Sequence, residues 1–236
     1  MTEYDRLAGA SEFYRTEQLD IDRVVLAYRY KVFRPYVTGT SCLELGPAEG
    51  EMTTLLLGDF DRVTAVDGAR ELLDMIPEHP RLTKVHSLFE TFVPARPFDT
   101  VVMDHVLEHV EDPGDLLRRA AGWLGPRGRL VVGVPNALSI HRLAAVKMGL
   151  LTSPYELNER DLRVGHRRVY DPAQLKSEIE QAGLQIIHSG GVLLKPLAYH
   201  QMAASWTRPM IDAFLELGCE FPDIAAELYA VCARAS

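Results

Sequence analysis

Short apolar runs alternate along the chain with stretches in which apolar residues recur every third or fourth position. Runs bounded by turn residues read as strands, and the helical recurrence reads as helices packed against them. The runs lie at residues 42–45, in a second run ending on Asp67, at Leu82–His86 and Phe98–Asp104, and at 130–134, 184–188 and 227–233. Helices are expected between the first two runs, at 69–76, at Pro113–Trp123 and at 171–182. Asp112 before Pro113 is an N-cap with a first-turn proline, Asp171-Pro172-Ala173-Gln174 opens a capping box, and Gly183 closes that helix. Residues 1–37, with Phe13, Tyr14, Leu19, Ile21, Val24, Val25, Tyr28 and Phe33, predict one or two amphipathic helices ended by Pro35. Strands alternating with helices predict a doubly wound α/β fold.

The most informative turn follows the first run. Gly46, Pro47, Ala48, Glu49 and Gly50 separate it from a helical stretch, and Asp67 closes the second run twenty-one residues after Gly46. Glycines there let the backbone approach a ligand, and an acid at that distance can accept both hydroxyls of a ribose. The loop has no Lys or Arg and no Gly-Lys-Ser/Thr ending, so a phosphate has nothing to meet. Glu44 would repel a pyrophosphate but attract an ammonium group. This charge pattern favours S-adenosylmethionine over NAD.

Cys42-Leu43-Glu44-Leu45-Gly46 with Gly50, then Val66-Asp67, then Phe98-Asp99-Thr100-Val101-Val102, then Leu124-Gly125-Pro126-Arg127-Gly128-Arg129-Leu130 resemble the ordered motifs of class I S-adenosylmethionine-dependent methyltransferases. The resemblance covers about residues 38–190, and its one departure is Ala48, where the family has a middle glycine. It implies a seven-stranded Rossmann-like sheet in a single domain: a helical cover at 1–37, a cofactor-binding core at 38–136, a lid insertion at 137–165 and a second insertion at 192–218. It also implies cofactor contacts from Glu44, Gly46, Gly50, Asp67, Ser87, Leu88 and Asp104. The cover helices either bring Tyr14 or Arg15 onto the ligand or pack on the sheet edge.

The segment after the fourth run, Asp104-His105-Val106-Leu107-Glu108-His109, puts His105, Glu108 and His109 on one face if it takes a helical turn. It resembles the ubiquinone-pathway catechol O-methyltransferases and the plant small-RNA 2'-O-methyltransferases, which hold a divalent metal with a Glu-His pair and a later His. The matching residues are His105, Glu108, His109 and, as the later ligand, His166. His105 stands where those enzymes have an acid, so the metal is open between Mg²⁺ and Zn, Fe or Mn. Without a metal, His109 is the candidate general base. His141, in the lid insertion, is the second candidate.

Composition narrows the partners. The chain has 236 residues and a net charge of −8, which argues against nucleic-acid backbone. No apolar run reaches membrane-spanning length, no signal-peptide pattern is read at the N-terminus, and three cysteines without metal spacing suit a reducing cytoplasm. Arg160, Arg163, Arg167 and Arg168 either meet an anionic or polyhydroxylated substrate or form a solvated face. Tyr199, His200, Trp206 and Arg208 suit a substrate wall or a homodimer contact. The expected reaction is O-methylation of a small molecule with vicinal hydroxyls, a sugar, oligosaccharide or catechol. N-methylation of an amine and a non-catalytic cofactor-binding partner subunit are the alternatives.

Overall fold

The computed structural model describes residues 20–235; the expectations for Phe13, Tyr14, Arg15 and Leu19 lie outside them. The strands are β1 (Ser41–Leu45), β2 (Arg62–Asp67), β3 (Leu82–His86), β4 (Phe98–Asp104), β5 (Leu124–Pro135), β6 (Leu184–Val192) and β7 (Glu227–Arg234). They form one sheet in the order β3-β2-β1-β4-β5-β7-β6. All neighbours pair parallel except β7, which runs antiparallel to both β5 and β6. The helices are α1 (Asp20–Phe33), α2 (Glu51–Asp59), α3 (Arg70–Met75), α4 (Pro113–Trp123), α5 (Ile140–Lys147), α6 (Glu159–Arg163), α7 (Pro172–Gln181), α8 (Tyr199–Ala203) and α9 (Arg208–Glu220).

Because side chains alternate along a strand, the apolar runs bury both faces of the sheet. Leu43, Leu45, Val101, Met103, Leu130 and Val132 pack with α4 and α7 through Leu116, Leu117, Leu175 and Ile179. Cys42, Val63, Val102 and Val131 point the other way, against Ile21 and Val25 of α1, Met52 and Leu56 of α2, and Ile211 and Leu215 of α9. Of the cover expected at 1–37, residues 20–33 form α1 on this face of the sheet.

Three expectations change in detail. β5 begins at Leu124, six residues early, because 126–128 is not a turn between elements but part of an irregular stretch where the pairing with β4 shifts register. β6 runs four residues past 188, through Gly190 and Gly191, because both are held in register against β7. Asp171 caps α7 by accepting from Gln174 N at 2.7 Å, but Gln174 reaches Glu178 instead of closing the box.

Candidate active site

The carboxyl ends of β1, β2 and β4 open into a cavity of about 330 Å³, roofed by α1, the 137–165 insertion and the start of α8. Glu44 lies on its floor, 2% exposed, and accepts from the Thr53 hydroxyl at 2.6 Å. Gly46 (φ +67), Ala48 (φ +47) and Gly50 (φ +88) all take left-handed backbone, so the loop keeps its path with alanine at the middle position. Gly46 and Ala48 line the cavity. Gly50 instead starts α2, where an added Cβ would stand 2.9 Å from Ile76.

Asp67 ends β2 and accepts from Ala69 N at 2.7 Å. Ala69, Leu72 and Phe89 form apolar wall beside it. The wall passes through Phe89 rather than Ser87 or Leu88: the Ser87 hydroxyl is turned to Leu88 O and Thr91. Burial pushes the carboxyls here upward. Glu44 rises to about 8, with the Thr53 hydroxyl only partly opposing, and Asp67 to about 6 against the Ala69 and Gly68 amides. Burial raises Glu49 on the loop as well.

Asp104 lines the cavity, but its carboxylate is held by Arg29 of α1, whose Nε and Nη2 donate at 3.0 and 2.7 Å. Gly133 on β5 leaves room for that carboxylate, since a Cβ there would overlap it. Arg29 Nη1 also donates to Glu227 Oε2 at 2.5 Å. Burial opposes the guanidinium charge, but the two carboxylates outweigh it.

The following segment does not start as a helical turn. His105 takes a left-handed φ of +57, and the turn closes later, with His109 N donating to Val106 O at 3.0 Å. His105 Nδ1 consequently meets Glu108 Oε1 at 2.9 Å, while its Nε2 lies 3.8 Å from Glu227. Burial and Arg29 oppose charge on His105, but Glu108 and Glu227 hold it up to about 10. Burial likewise opposes ionisation of Glu108, and His105 outweighs it, holding the carboxyl down to about 2.

Among the described residues, ligand atoms of Glu108, His109 and His166 all lie within 4.8 Å of one another, and His105 is outside that group. Glu108 is fully buried, and its Oε2 has no hydrogen-bond partner. The His109 and His166 rings stand edge to face, 4.8 Å between centroids. His166 Nδ1 is 3.3 Å from Asp161 Oδ1, whose other oxygen accepts from Arg142 at 3.0 Å. Arg167 N donates to Glu108 O at 2.8 Å, and the Arg168 guanidinium caps Leu107 O and Glu111 O. These two arginines brace the turn; of Arg160, Arg163, Arg167 and Arg168, Arg160 lines the cavity.

His141 of α5 lines the cavity with a buried Nδ1 that has no partner. Burial, then Lys195 and Arg142, push it down to about 2, which makes it a weak base. In the second insertion Tyr199 reaches the cavity, whereas Trp206 packs on Phe214 at 4.6 Å, Arg208 pairs with Asp212 at 2.8 Å and His200 is exposed. Sequence reasoning missed Arg29, Arg142, Asp161, Lys195 and Glu227. Glu227 alone left a signal, as an acid opening an otherwise apolar strand.

A sheet of this order, with an acid-lined cleft free of phosphate-binding groups at the ends of β1 and β2, defines the class of S-adenosylmethionine-dependent methyltransferases. The family model described as a methyltransferase domain matches residues 19–189, and the chain belongs to that family. It is an S-adenosylmethionine-dependent methyltransferase. The chain is 29% identical over 172 residues to a ubiquinone biosynthesis O-methyltransferase of Xylella fastidiosa, covering 68% of this chain and 67% of the relative. It is 27% identical over 175 residues to a protein of the same name from Xanthomonas euvesicatoria, covering 71% and 72%. The N-methyltransferase NodS from Bradyrhizobium japonicum, solved with S-adenosyl-L-homocysteine, superposes with a TM-score of 0.61 over 99% of this chain and 97% of that one. At 14% identity it speaks for the fold alone. No helix among the described residues is long and apolar enough to cross a membrane.

Proposed function

We propose that the chain methylates a hydroxyl of a small molecule with two neighbouring hydroxyls, with a divalent cation held by Glu108, His109 and His166. The names of the sequence relatives support an oxygen acceptor. The convergence of three ligand atoms within 4.8 Å carries the rest.

The donor set fits a cation. A buried carboxylate oxygen without a partner is costly unless something positive meets it, and Glu108 Oε2 is such an atom. His166 Nδ1 lies 3.3 Å from the Asp161 carboxylate, a neighbour of the kind that orients metal-binding imidazoles. Two imidazoles and one carboxylate are softer than Mg²⁺ prefers, so the set suits Mn, Fe or Zn better. When bound, the cation would lower the pKa of an acceptor hydroxyl and orient the pair of oxygens.

The chain's own residues divide the remaining work. Asp67 accepts the ribose hydroxyls, Glu44 meets the ammonium group, and Leu72 and Phe89 enclose the base. His105 holds one oxygen of Glu108 so that the other faces the cation. Asp161 fixes the His166 ring, and Arg167 and Arg168 hold the turn that carries Glu108 and His109. The cleft thereby keeps acceptor oxygen and methyl carbon at near-attack distance, from which a single in-line displacement proceeds.

Chelation tests this reading. Activity on a vicinal diol should vanish in EDTA and return with Mn²⁺ or Mg²⁺. Full activity in EDTA would remove the cation and leave His109 as the general base. Equal rates for acceptors lacking one of the two hydroxyls would remove bidentate binding.

A further inference from the structure

The same cavity contains a cation that the chemistry above does not use. Lys195, in the connection from β6 to α8, lines the wall with its Nζ 4.2 Å from the centroid of the Tyr199 ring. The Arg160 guanidinium lies 5.5 Å from the same centroid. Two positive groups therefore share one buried ring.

The neighbouring acids are committed elsewhere. Glu227 accepts from Arg29 at 2.5 Å and from the Tyr199 hydroxyl at 3.1 Å. Asp161 serves Arg142 and His166, and Asp22 is 3.9 Å from Arg160. Among the described residues, no carboxylate lies within ion-pair distance of Lys195. Burial, then Arg160, push its ammonium down to about 8, against the more distant pull of Glu227, Asp22 and Asp161. His141 stands on the same wall, with its buried Nδ1 also unmet. In a chain of net charge −8, a cation inside the cavity without an ion-pair partner among the described residues, beside a second cation on the same ring, suits a ligand-borne anion rather than a general basic surface.

We propose that Lys195 and Arg160 hold an anionic group of the acceptor, a carboxylate or a phosphate ester, so that the substrate is an acidic hydroxy compound and not a neutral polyol. This rests on the cavity being the acceptor site, and it does not depend on the cation at Glu108.

The test is calorimetric titration of the protein saturated with S-adenosyl-L-homocysteine. The probes are benzoate, phenyl phosphate and neutral benzyl alcohol, with the unaltered chain, Lys195→Met and Lys195→Arg. The unaltered chain should bind at least one anion about tenfold or more tighter than benzyl alcohol, as a charge-assisted contact requires. Lys195→Met should lose that preference and Lys195→Arg keep it, with S-adenosyl-L-homocysteine affinity unchanged in both. The tighter anion tells carboxylate from phosphate. Equal binding of all three probes, or full anion affinity in Lys195→Met, overturns the proposal. The preference of the unaltered chain decides the matter even where Lys195→Met does not fold. EDTA-insensitive activity alongside an intact anion preference would remove the metal reading alone.

Discussion

The two ends of the cavity solve the same electrostatic problem in opposite ways. At the ends of β1 and β2, Glu44 and Asp67 are buried and Glu49 is half-buried, none of the three in an ion pair among the described residues. Burial raises all three over the weaker pull of Arg23 on Glu49 and His86 on Asp67. At the end of β4, each acid has a cation: Asp104 and Glu227 share Arg29, Glu108 has His105, and Asp161 has Arg142. Glu108 is accordingly held down to about 2. On the proposed reading one end is left for a positively charged ligand, whereas at the other the ion pairs form within the chain and leave Glu108 Oε2 over for a cation. The difference follows from the chemistry proposed for each. A sulfonium and ammonium bring charge with them, whereas a reaction at an acceptor oxygen needs side chains fixed in advance.

The strongest way to break this comparison is Arg29→Met. It leaves Asp104 without its ion-pair partner and Glu227 with only the Tyr199 hydroxyl and His105, and removing one member of a buried ion network costs roughly 3–5 kcal/mol. Denaturant unfolding should lose stability on that scale. A loss below about 1 kcal/mol, the scale of an exposed pair, would mean that the end of β4 is not pre-paired.

The next largest effect is a pH dependence in which Glu44 and Glu108 carry opposite signs. Between the ordinary value of 4.5 and about 8, folded ligand-free protein keeps a proton on Glu44 that the unfolded chain has lost. The folded state binds more protons there, so this end costs stability as pH rises through that window. Glu108 works the other way: its contribution is present above 4.5 and is lost as pH falls toward about 2. Thermal unfolding of ligand-free protein between pH 5 and pH 8 should therefore show a falling component that Glu44→Gln removes. S-adenosylmethionine affinity should rise by about tenfold or more across the same range, as a cation meets newly ionised carboxylates. Calorimetry that finds a flat affinity in the unaltered chain would sink the charge argument for the cofactor end. Asp67→Ala should weaken the same binding by about tenfold through lost hydrogen bonds to the ribose.

The same contrast explains what the sequence disclosed. The cofactor end is local: a strand, a glycine turn and an acid lie within twenty-seven positions, and Glu44, Gly46 and Asp67 were readable from spacing and charge. β3, β4 and α4 were legible to the residue because turn residues or a cap bound them. The opposite end is assembled across long separations. Arg29 reaches Asp104 from 75 positions away and Glu227 from 198, and no periodicity couples such residues. His105 was misjudged for a different reason. Its left-handed φ, which the spacing does not announce, sets the ring on Glu108 Oε1 and near Glu227, outside the group of converging ligand atoms. Phe89 lines the cavity wall where Ser87 and Leu88 were expected, and the Ser87 hydroxyl is met by Leu88 O and Thr91.

The smallest effect concerns backbone rather than charge. Ala48 holds φ +47 between Gly46 and Gly50, directly after Pro47, in a loop whose other left-handed positions are glycine. An L-residue in that region costs roughly 1–2 kcal/mol, and glycine's extra freedom in the unfolded chain returns about 0.5–1 kcal/mol of that. Ala48→Gly should therefore stabilise ligand-free protein by about 0.5–1 kcal/mol, a rise in melting temperature of about 1–4 °C for a chain of this size. The charges of Glu44 and Asp67 are untouched, so cofactor affinity should change by no more than about twofold on this account. A melting temperature that falls instead would show that the alanine methyl packs better than its backbone strains. The cofactor end would then differ from the end of β4 in electrostatics alone.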